Sequence, residues 1–304
     1  MDALSDILRT IHLHSSVYFR REFSAPWGMC IDTGEYAQFH LIVRGQCFLQ
    51  DQHHAKPLSL SGGDIVVFPT GEAHSLFDRP GRKLLPGRKI VESHQRGETI
   101  FKGDGPDTTL VCGHFEFDRT LDHPFLRDLP SLIHLTDTDR RQLSWLEAST
   151  NIIIQEAGSA SPGADAVVNR LAEVLFIQIV RAYMLQEEIS EGYLAALKDE
   201  QISEALRIIH SAPHQNWTLE NIARSIGMSR SAFAMRFKQL VGLTPMDYLT
   251  RWRMEKAREL LNNRKLSIID IAEQVGYLSE AAFSRAFKRR FRQNPGALRR
   301  ALQH

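Results

Sequence analysis

The stretch TLENIARSIG, Thr218–Gly227, occurs a second time in this chain as SIIDIAEQVG, Ser267–Gly276, 49 residues further on. Beyond the glycine the match continues at an offset of 50, where Phe233, Phe237, Lys238 and Pro245 correspond to Phe283, Phe287, Lys288 and Pro295. A fixed period indicates a duplicated structural unit. The chain therefore carries two copies of one unit, and the second copy has one additional residue in its turn.

Each copy predicts a helix, a tight turn and a second helix. A hydroxyl residue favours the start of each helix, and a glycine at the turn allows positive φ. In the first and second copies these residues are Thr218 and Ser267, then Gly227 and Gly276, then Ser229 and Ser279. This is the helix-turn-helix layout, in which the second helix enters the DNA major groove. We expect the two units at about 216–242 and 265–292.

The second helix of each copy has a polar, basic face opposite its two phenylalanines. Arginine pairs with guanine through two hydrogen bonds, and serine or glutamate can contact other base edges. The predicted DNA contacts are Ser229, Arg230, Ser231, Met235, Arg236 and Lys238 in the first copy, and Ser279, Glu280, Ser284, Arg285, Lys288 and Arg289 in the second. Among the basic residues, Lys238, Arg289, Arg290 and Arg292 suit phosphate contacts.

A long helix is predicted between the two copies, over 245–261, with proline in its first turn. About 17 residues at 1.5 Å each give roughly 25 Å. A helix of that length could hold the two recognition helices about one DNA turn apart on the same side of the duplex. One chain would then occupy two successive major grooves.

The two parts of the chain differ in charge. Residues 201–304 carry 18 basic and 8 acidic residues, a net charge of +10, whereas residues 1–200 carry 19 basic and 28 acidic residues, a net charge of −9. The overall charge of +1 is a cancellation and does not exclude nucleic acid as a partner. Three cysteines in 304 residues favour a reducing compartment, and no export signal or membrane span is apparent, so we expect a cytoplasmic protein of two domains.

Residues from about 199 to 300 resemble the DNA-binding domain of the AraC/XylS family of bacterial transcription regulators. The resemblance rests on Trp217–Leu219, Gly227–Ser229, Gly242–Pro245, Ile271–Tyr277 and the Phe287-Lys288 pair that precedes Pro295. It implies binding to double-stranded promoter DNA as a homodimer, contact with RNA polymerase, and activation of transcription. The chain departs from the family at Arg292, where glycine is usual, and at Asn294, where threonine is usual.

The first 125 residues predict an all-β domain. Ala37–Val43, a turn at Gly45 and Cys47–Leu49 indicate a hairpin, and strands are also expected at Ile65–Phe68 and Thr108–Phe117. The run 83–107 is rich in glycine and charge and predicts a surface loop. The fold class is therefore α+β: a β-barrel of cupin or jelly-roll type followed by helices, then an all-α domain with two helix-turn-helix units.

The segment Gly63–His74 resembles the second cupin motif, in which a strand ends at Pro-x-Gly-x-x-His and the histidine points into the barrel. The first cupin motif is reduced to Gln38-Phe39-His40 and lacks the usual glutamate. The resemblance implies a cupin-type sensor domain of the kind found on one AraC branch. The alternative, a cupin-type metal-dependent enzyme fused to a DNA-binding domain, loses support because ligands are missing.

Three interpretations of His40, His74 and Cys112 stay open. They could hold one divalent metal ion, zinc or similar, with His114 as a fourth ligand. They could form hydrogen bonds to a small organic effector, or they could be residues of the core, as Cys47 is expected to be. A fourth hypothesis makes a cysteine the sensor of an oxidant, if a neighbouring histidine activates it.

Two helical stretches are expected at 137–155 and 165–186, where they would pack on the barrel or form a dimer interface. We therefore divide the chain into a cupin-like domain at 1–130, a helical dimerisation and linker region at 131–198, and a DNA-binding domain at 199–304. The predicted function is that of a sequence-specific transcription regulator controlled by a small-molecule, metal or redox signal, and not an enzyme. A nonspecific nucleoid-type DNA binder is the remaining alternative.

Overall fold

A computed structural model describes residues 2–118, 121–159, 161–186 and 189–301. They form two compact units. The strand unit comprises Leu13–Asp118 and Leu129–Glu188, and the helical unit comprises Met1–His12, Arg119–Asp128 and Ile189–His304. No helix in the described ranges has the length and apolar character that crossing a membrane requires. The α+β class is confirmed, with the strands in one unit and the two helix-turn-helix copies in the other.

Among the described residues, ten strands build the strand unit. They are β1 (His14–Ser24), β2 (Gly28–Ile31), β3 (Ala37–Arg44), β4 (Gln46–Asp51), β5 (Leu58–Ser61), β6 (Ile65–Phe68), β7 (His74–Phe77), β8 (Leu85–Pro86), β9 (Asp107–Glu116) and β10 (Ile133–Leu135). One five-stranded sheet has the order β1-β9-β3-β6-β10, and the other has the order β5-β4-β7-β2-β8. Hydrogen bonds among the described strands do not close these two sheets into the predicted barrel.

Side chains from both sheets meet in one apolar core. Phe19, Ile42 and Leu110 come from the first sheet, while Leu49 and Leu76 come from the second. Because successive residues of a strand point to opposite faces, every second residue of β3 and β9 enters this core. The same alternation places His40 and Cys112, which are directly paired across β3 and β9, on the core side.

The predicted hairpin around Gly45 is wrong. β3 pairs with β6 and β9, whereas β4 pairs with β5 and β7 in the other sheet. Gly45 has a φ of +86°, and a Cβ there would lie 2.4 Å from the Asp107 carbonyl oxygen. The chain therefore crosses from one sheet to the other at this glycine, which a local strand-turn-strand pattern does not distinguish from a hairpin.

Four helices complete the strand unit within the described ranges. They are α2 (Gly87–Gln95), α4 (Asp137–Gln142), α5 (Ser144–Glu156) and α6 (Ala164–Gln186). The prediction of a surface loop over 83–107 is wrong because α2 lies within it and buries Ile90 and Ser93. The helices predicted at 137–155 and 165–186 are confirmed, apart from a break at Leu143 between α4 and α5. Phe176 of α6 packs on Phe115, on the outer face of β9.

The described part of the helical unit contains ten helices. They are α1 (Ala3–Thr10), α3 (Pro124–Arg127), α7 (Gly192–Lys198), α8 (Glu200–Ser211), α9 (Leu219–Ser225), α10 (Arg230–Val241), α11 (Pro245–Leu260), α12 (Ile268–Gln274), α13 (Glu280–Phe291) and α14 (Pro295–Ala301). Residues 2–12 and 121–128, which we expected in the 1–130 domain, pack with this unit. One such contact is a 3.0 Å hydrogen bond that the Lys256 ammonium of α11 donates to the Thr10 hydroxyl.

The predicted helix starts and stops of both copies are confirmed. Thr218 and Ser267 each form a capping box with the residue three positions on, and Ser229 and Ser279 cap α10 and α13. Gly227 and Gly276 have φ values of +68° and +80°. The phenylalanine pairs that fix each second helix are fully buried: Phe233 and Phe237, Phe283 and Phe287. The duplication in the sequence is thus a duplication of structure.

Tyr248 of α11 joins several parts of the helical unit through one buried hydroxyl group. Its oxygen lies 2.7 Å from His210 Nε2 of α8, 2.7 Å from the Tyr193 hydroxyl of α7, and 3.2 Å from His123 Nε2 in the 121–128 segment. His123 Nδ1 accepts from the Phe125 amide, so a neutral His123 donates from Nε2 to Tyr248. Burial lowers the pKa of His123 to about 3 and that of His210 well below its usual value, which keeps both rings neutral.

The two recognition helices end differently. α10 ends at Gly242 with a φ of +74°, whereas α13 ends at Arg292 with a φ of +60°. A side chain with a Cβ pays roughly 1 kcal/mol in this left-handed conformation.

We expect Arg292→Gly to raise the free energy of unfolding by about 1 kcal/mol, because glycine removes that conformational cost. Gly242→Ala, which has open space around its Cβ, is the matched control and should lower the free energy of unfolding by a similar amount. Urea denaturation followed by circular dichroism measures both. A less stable Arg292→Gly variant would contradict this interpretation of the helix end.

Candidate ligand cavity and nucleic-acid interface

A cavity of about 420 Å³ lies between the two sheets of the strand unit. Its wall is largely apolar, with Phe19, Met29 and Ile31 from the strands and Val91 from α2. The inner polar groups are Tyr18, Gln38, His40 and Cys112, and the exposed side chains Asp32, Arg88 and Glu92 mark its mouth. A concave, mostly apolar pocket with a few placed polar groups is the usual form of a small-molecule site.

His40 and Cys112, which line this cavity, form a chain of hydrogen bonds with His74, which is not among the lining residues. His40 Nδ1 lies 3.0 Å from Cys112 Sγ, His40 Nε2 lies 2.8 Å from His74 Nε2, and His74 Nδ1 lies 2.8 Å from the Glu72 carbonyl oxygen. The carbonyl can only accept, so His74 carries its proton on Nδ1 and accepts at Nε2 from His40. His40 then accepts at Nδ1 from the Cys112 thiol. One set of neutral tautomers satisfies every member of the chain.

Burial keeps this chain uncharged. It lowers the pKa of His74 to about 4, and, together with the neighbouring His74, it lowers the pKa of His40 well below its usual value. Burial also raises the pKa of the Cys112 thiol well above its usual value and that of Cys47 to about 12. A protonated thiol is a weak nucleophile, so these surroundings do not favour the oxidation of Cys112 or Cys47.

His114 does not join this chain within the described residues. Its ring stacks on Tyr36 at 4.5 Å between centroids, and its Nε2 lies 2.7 Å from Glu116 Oε1. It also contacts Tyr18, at 5.0 Å between ring centroids. The three other predicted residues therefore meet, and the proposed fourth ligand lies apart from them.

The arrangement does not match a metal centre as it stands. Two imidazole nitrogens on one tetrahedral zinc ion, each about 2.0–2.1 Å from it, would be roughly 3.3 Å apart. His40 Nε2 and His74 Nε2 are closer, at a hydrogen-bonding distance of 2.8 Å. Across the described ranges, no group of three or more His, Cys, Asp or Glu side chains is placed to hold a metal ion.

The helical unit presents the predicted DNA contacts on α10 and α13. Ten of the twelve predicted residues are exposed, and Arg236 and Ser284 are half-buried. The hydroxyls of Ser229 and Ser279 accept hydrogen bonds from the Ala232 and Ala282 amides, so these serines also hold the helix starts in place.

Two of the arginines expected at DNA are engaged by carboxylates. Arg236 Nε lies 3.1 Å from Asp199, at the start of α8. Arg290 lies 2.8 Å from the buried Glu255 and 3.5 Å from Asp122. All three carboxylates lie at least 35 residues from the arginines in sequence, so the local pattern could not predict these pairs. Any DNA contact by Arg236 or Arg290 would have to compete with them.

A cleft of about 590 Å³ between α11 and α13 was not predicted. Arg251, Arg289, Arg290 and Arg292 line it, together with Asp247. The sequence indicates this cleft only through its arginines. Arg251 and Arg253 lie in the connecting helix, and three more arginines follow Lys288. Leu278, directly before the Ser279 N-cap of α13, was also missed, although its side chain is fully exposed.

Comparisons with known proteins cover the whole chain. A cupin family model matches residues 2–185, and a helix-turn-helix domain model matches residues 222–301. The chain is 34% identical to the HTH-type transcriptional regulator AlkR of Acinetobacter baylyi, over 97% of this chain and 98% of AlkR. It is 29% identical to a putative AraC-like transcription regulator of Streptomyces lividans, over 99% of this chain and 98% of that protein. It is 27% identical to the RCS-specific HTH-type transcriptional activator RclR of Escherichia coli, over 100% of this chain and 99% of RclR.

The neutral histidines predict a pH dependence of stability. Because the folded pKa of His74 is about 4 and the unfolded value is about 6.5, the unfolded chain takes up a proton first as the pH falls. The contribution of His74 to the free energy of unfolding is therefore complete above about pH 6.5. It is lost as the pH falls towards 4, by up to about 3 kcal/mol.

We expect His74→Gln, which keeps a hydrogen-bonding side chain but does not titrate, to flatten this loss in urea denaturation between about pH 5 and 7.5. His14→Gln is the control, since the His14 side chain is 64% exposed. A His74→Gln variant with the same pH slope as the wild type would contradict the assignment.

Proposed function

Because this chain belongs to the AraC-type family of helix-turn-helix transcription regulators, we propose that it controls promoters in response to a small molecule bound in the cavity of its cupin domain. The protein is a DNA-binding regulator and not an enzyme. The family implies promoter DNA as the partner. We therefore propose that the protein acts in the cytoplasm.

The observation that supports this proposal most strongly is that the two recognition helices match. α10 and α13 have the same length, start at capped serines and bury equivalent phenylalanines, and both expose basic and polar residues on the opposite face. α11, which has 16 residues, connects the two helix-turn-helix copies. This arrangement suits two successive major grooves of one duplex. The net charge of +10 over residues 201–304 adds attraction to phosphate.

The chemistry of the cavity supports an organic effector that is small, largely apolar and uncharged. Its inner polar groups are neutral, since the pKa of His40 is lowered and the pKa of Cys112 is raised by burial. A neutral polar group in an apolar wall can orient a ligand through one or two hydrogen bonds. An ionic ligand would lose its hydration without gaining a charged partner there. Arg88 and Glu92 at the mouth remain available to a polar end of the ligand.

The predicted divalent metal remains the alternative signal, and elemental analysis separates the two. We expect the wild type and the His40→Ala/His74→Ala double variant to carry the same, substoichiometric amount of zinc. About one ion per chain in the wild type and none in the double variant would contradict the organic effector and support the metal. Effector binding by a neutral cavity predicts instead that ligands raise the midpoint of thermal unfolding in the wild type more than in the variant.

The homodimer, the contact with RNA polymerase and the activating role are also part of the proposal. Val167 and Val174 of α6 and Ile152 of α5 are exposed, at 45%, 42% and 44%. Val167 and Val174 are seven residues apart and therefore lie on one face of α6, and exposed apolar side chains on one helix face suit a symmetric dimer contact. Val174→Glu should then shift sedimentation from dimer towards monomer. RclR, a relative of this chain, is named a transcriptional activator, and we propose that this chain also activates transcription.

Sequence-specific binding has a direct test in salt titration. We expect the wild type to prefer its operator over random duplex by at least about 10³-fold at physiological salt. Lys238→Ala should weaken binding to both DNAs and reduce the slope of log affinity against log salt by about 1, because one phosphate contact is lost.

The control is Lys89→Ala, which removes the same charge from the strand unit and should leave both affinities unchanged. Equal wild-type affinity for operator and random duplex would contradict a regulator and indicate a nonspecific DNA binder.

A further inference from the structure

The two recognition helices can be compared position by position. Each has 12 residues between a serine N-cap and a left-handed C-cap. Met235 is the sixth residue of α10, and Arg285 is the sixth residue of α13. The duplication therefore places a methionine and an arginine at equivalent points of the two DNA-facing helices.

Both side chains point away from the protein core. The buried phenylalanines occupy the fourth and eighth positions of each helix. At about 100° per residue, the sixth position lies roughly 200° from each of them, on the opposite face. Met235 is 71% exposed, and Arg285 is exposed as well. Arg236, one residue further along α10, is held by Asp199, so it does not take the place of Arg285 in the first copy.

The two side chains recognise different chemistry. Arginine donates two hydrogen bonds to O6 and N7 of guanine. Methionine has no hydrogen-bond donor, and its thioether is a weak acceptor, so it cannot bind these two acceptor atoms. The apolar feature that bases display in the major groove is the methyl group of thymine. An unbranched, polarisable side chain such as methionine can adapt its shape to that methyl group.

We propose, resting on the proposed function, that Met235 and Arg285 contact different bases in the two halves of the DNA element. At equivalent points of the two half-elements, Met235 contacts the methyl group of a T·A pair and Arg285 contacts the guanine of a G·C pair. The two base pairs lie about one helical turn apart, because α10 and α13 occupy successive major grooves.

A reciprocal exchange tests this assignment. Selection of bound sequences from a randomised duplex library, followed by sequencing, gives the base preference of the wild type, of Met235→Arg and of Arg285→Met. We expect the wild type to select T at one position and G at the equivalent position about 10 base pairs away. Met235→Arg should change only the T to G, and Arg285→Met should abolish only the preference for G, about tenfold or more.

A change in the DNA isolates the methyl contact. Replacing the selected thymine by deoxyuridine removes only the methyl group and should weaken wild-type binding about fourfold, the effect of one buried methyl. Binding of Met235→Ala should not respond to this replacement. Gln239→Arg, at an exposed position of α10, is the control for added positive charge and should raise affinity without changing the selected bases.

The outcomes separate the inference from the function on which it rests. If the wild type selects a defined element but Met235→Arg and deoxyuridine leave it unchanged, the assignment of Met235 is overturned while the regulator stands. If Met235→Arg changes a position occupied by a base other than T, the methyl contact is overturned. If the wild type selects no sequence at all, the proposed function fails, and this inference falls with it.

Discussion

The helical unit depends on the buried hydroxyl of Tyr248. It is within hydrogen-bonding distance of His210 on α8, Tyr193 on α7 and His123 in the 121–128 segment. Tyr248 lies on α11, the helix that connects the two helix-turn-helix copies. A buried polar group is costly when a partner is lost, so this contact specifies one arrangement of α7, α8 and the 121–128 segment around α11. Because α11 connects the two helix-turn-helix copies, its position also sets where the two recognition helices lie relative to each other.

A second buried network has a related chemistry in the strand unit. Cys112, His40 and His74 form a hydrogen-bonded chain that ends on a backbone carbonyl, and one set of neutral tautomers satisfies it. Its neutrality gives the adjoining cavity uncharged inner polar groups. A ligand that forms a better hydrogen bond with His40 or Cys112 would rearrange the chain. Such a ligand can change DNA affinity only as far as it binds two conformations of the protein differently.

Local features of the sequence were sufficient for the duplicated helices. The capping residues, the turn glycines and the phenylalanine spacing act over a few residues, and each is confirmed in position. Features that depend on distant contacts were not predictable in this way. Whether the chain crosses between sheets at Gly45 depends on which sheet each strand joins. The many charged residues in and around α2 made its sequence resemble a surface loop. Asp199 and Asp122 engage arginines that lie about 40 and 170 residues away in sequence, and no local pattern announces such pairs.

The most direct test of the account is hydroxyl-radical footprinting of the full-length protein on its operator. Two recognition helices carried by one connecting helix predict, for each bound chain, two protected patches on one face of the duplex, centred about 10 base pairs apart. A single protected patch for each chain would show that only one of the two copies binds in the major groove, and would contradict the account.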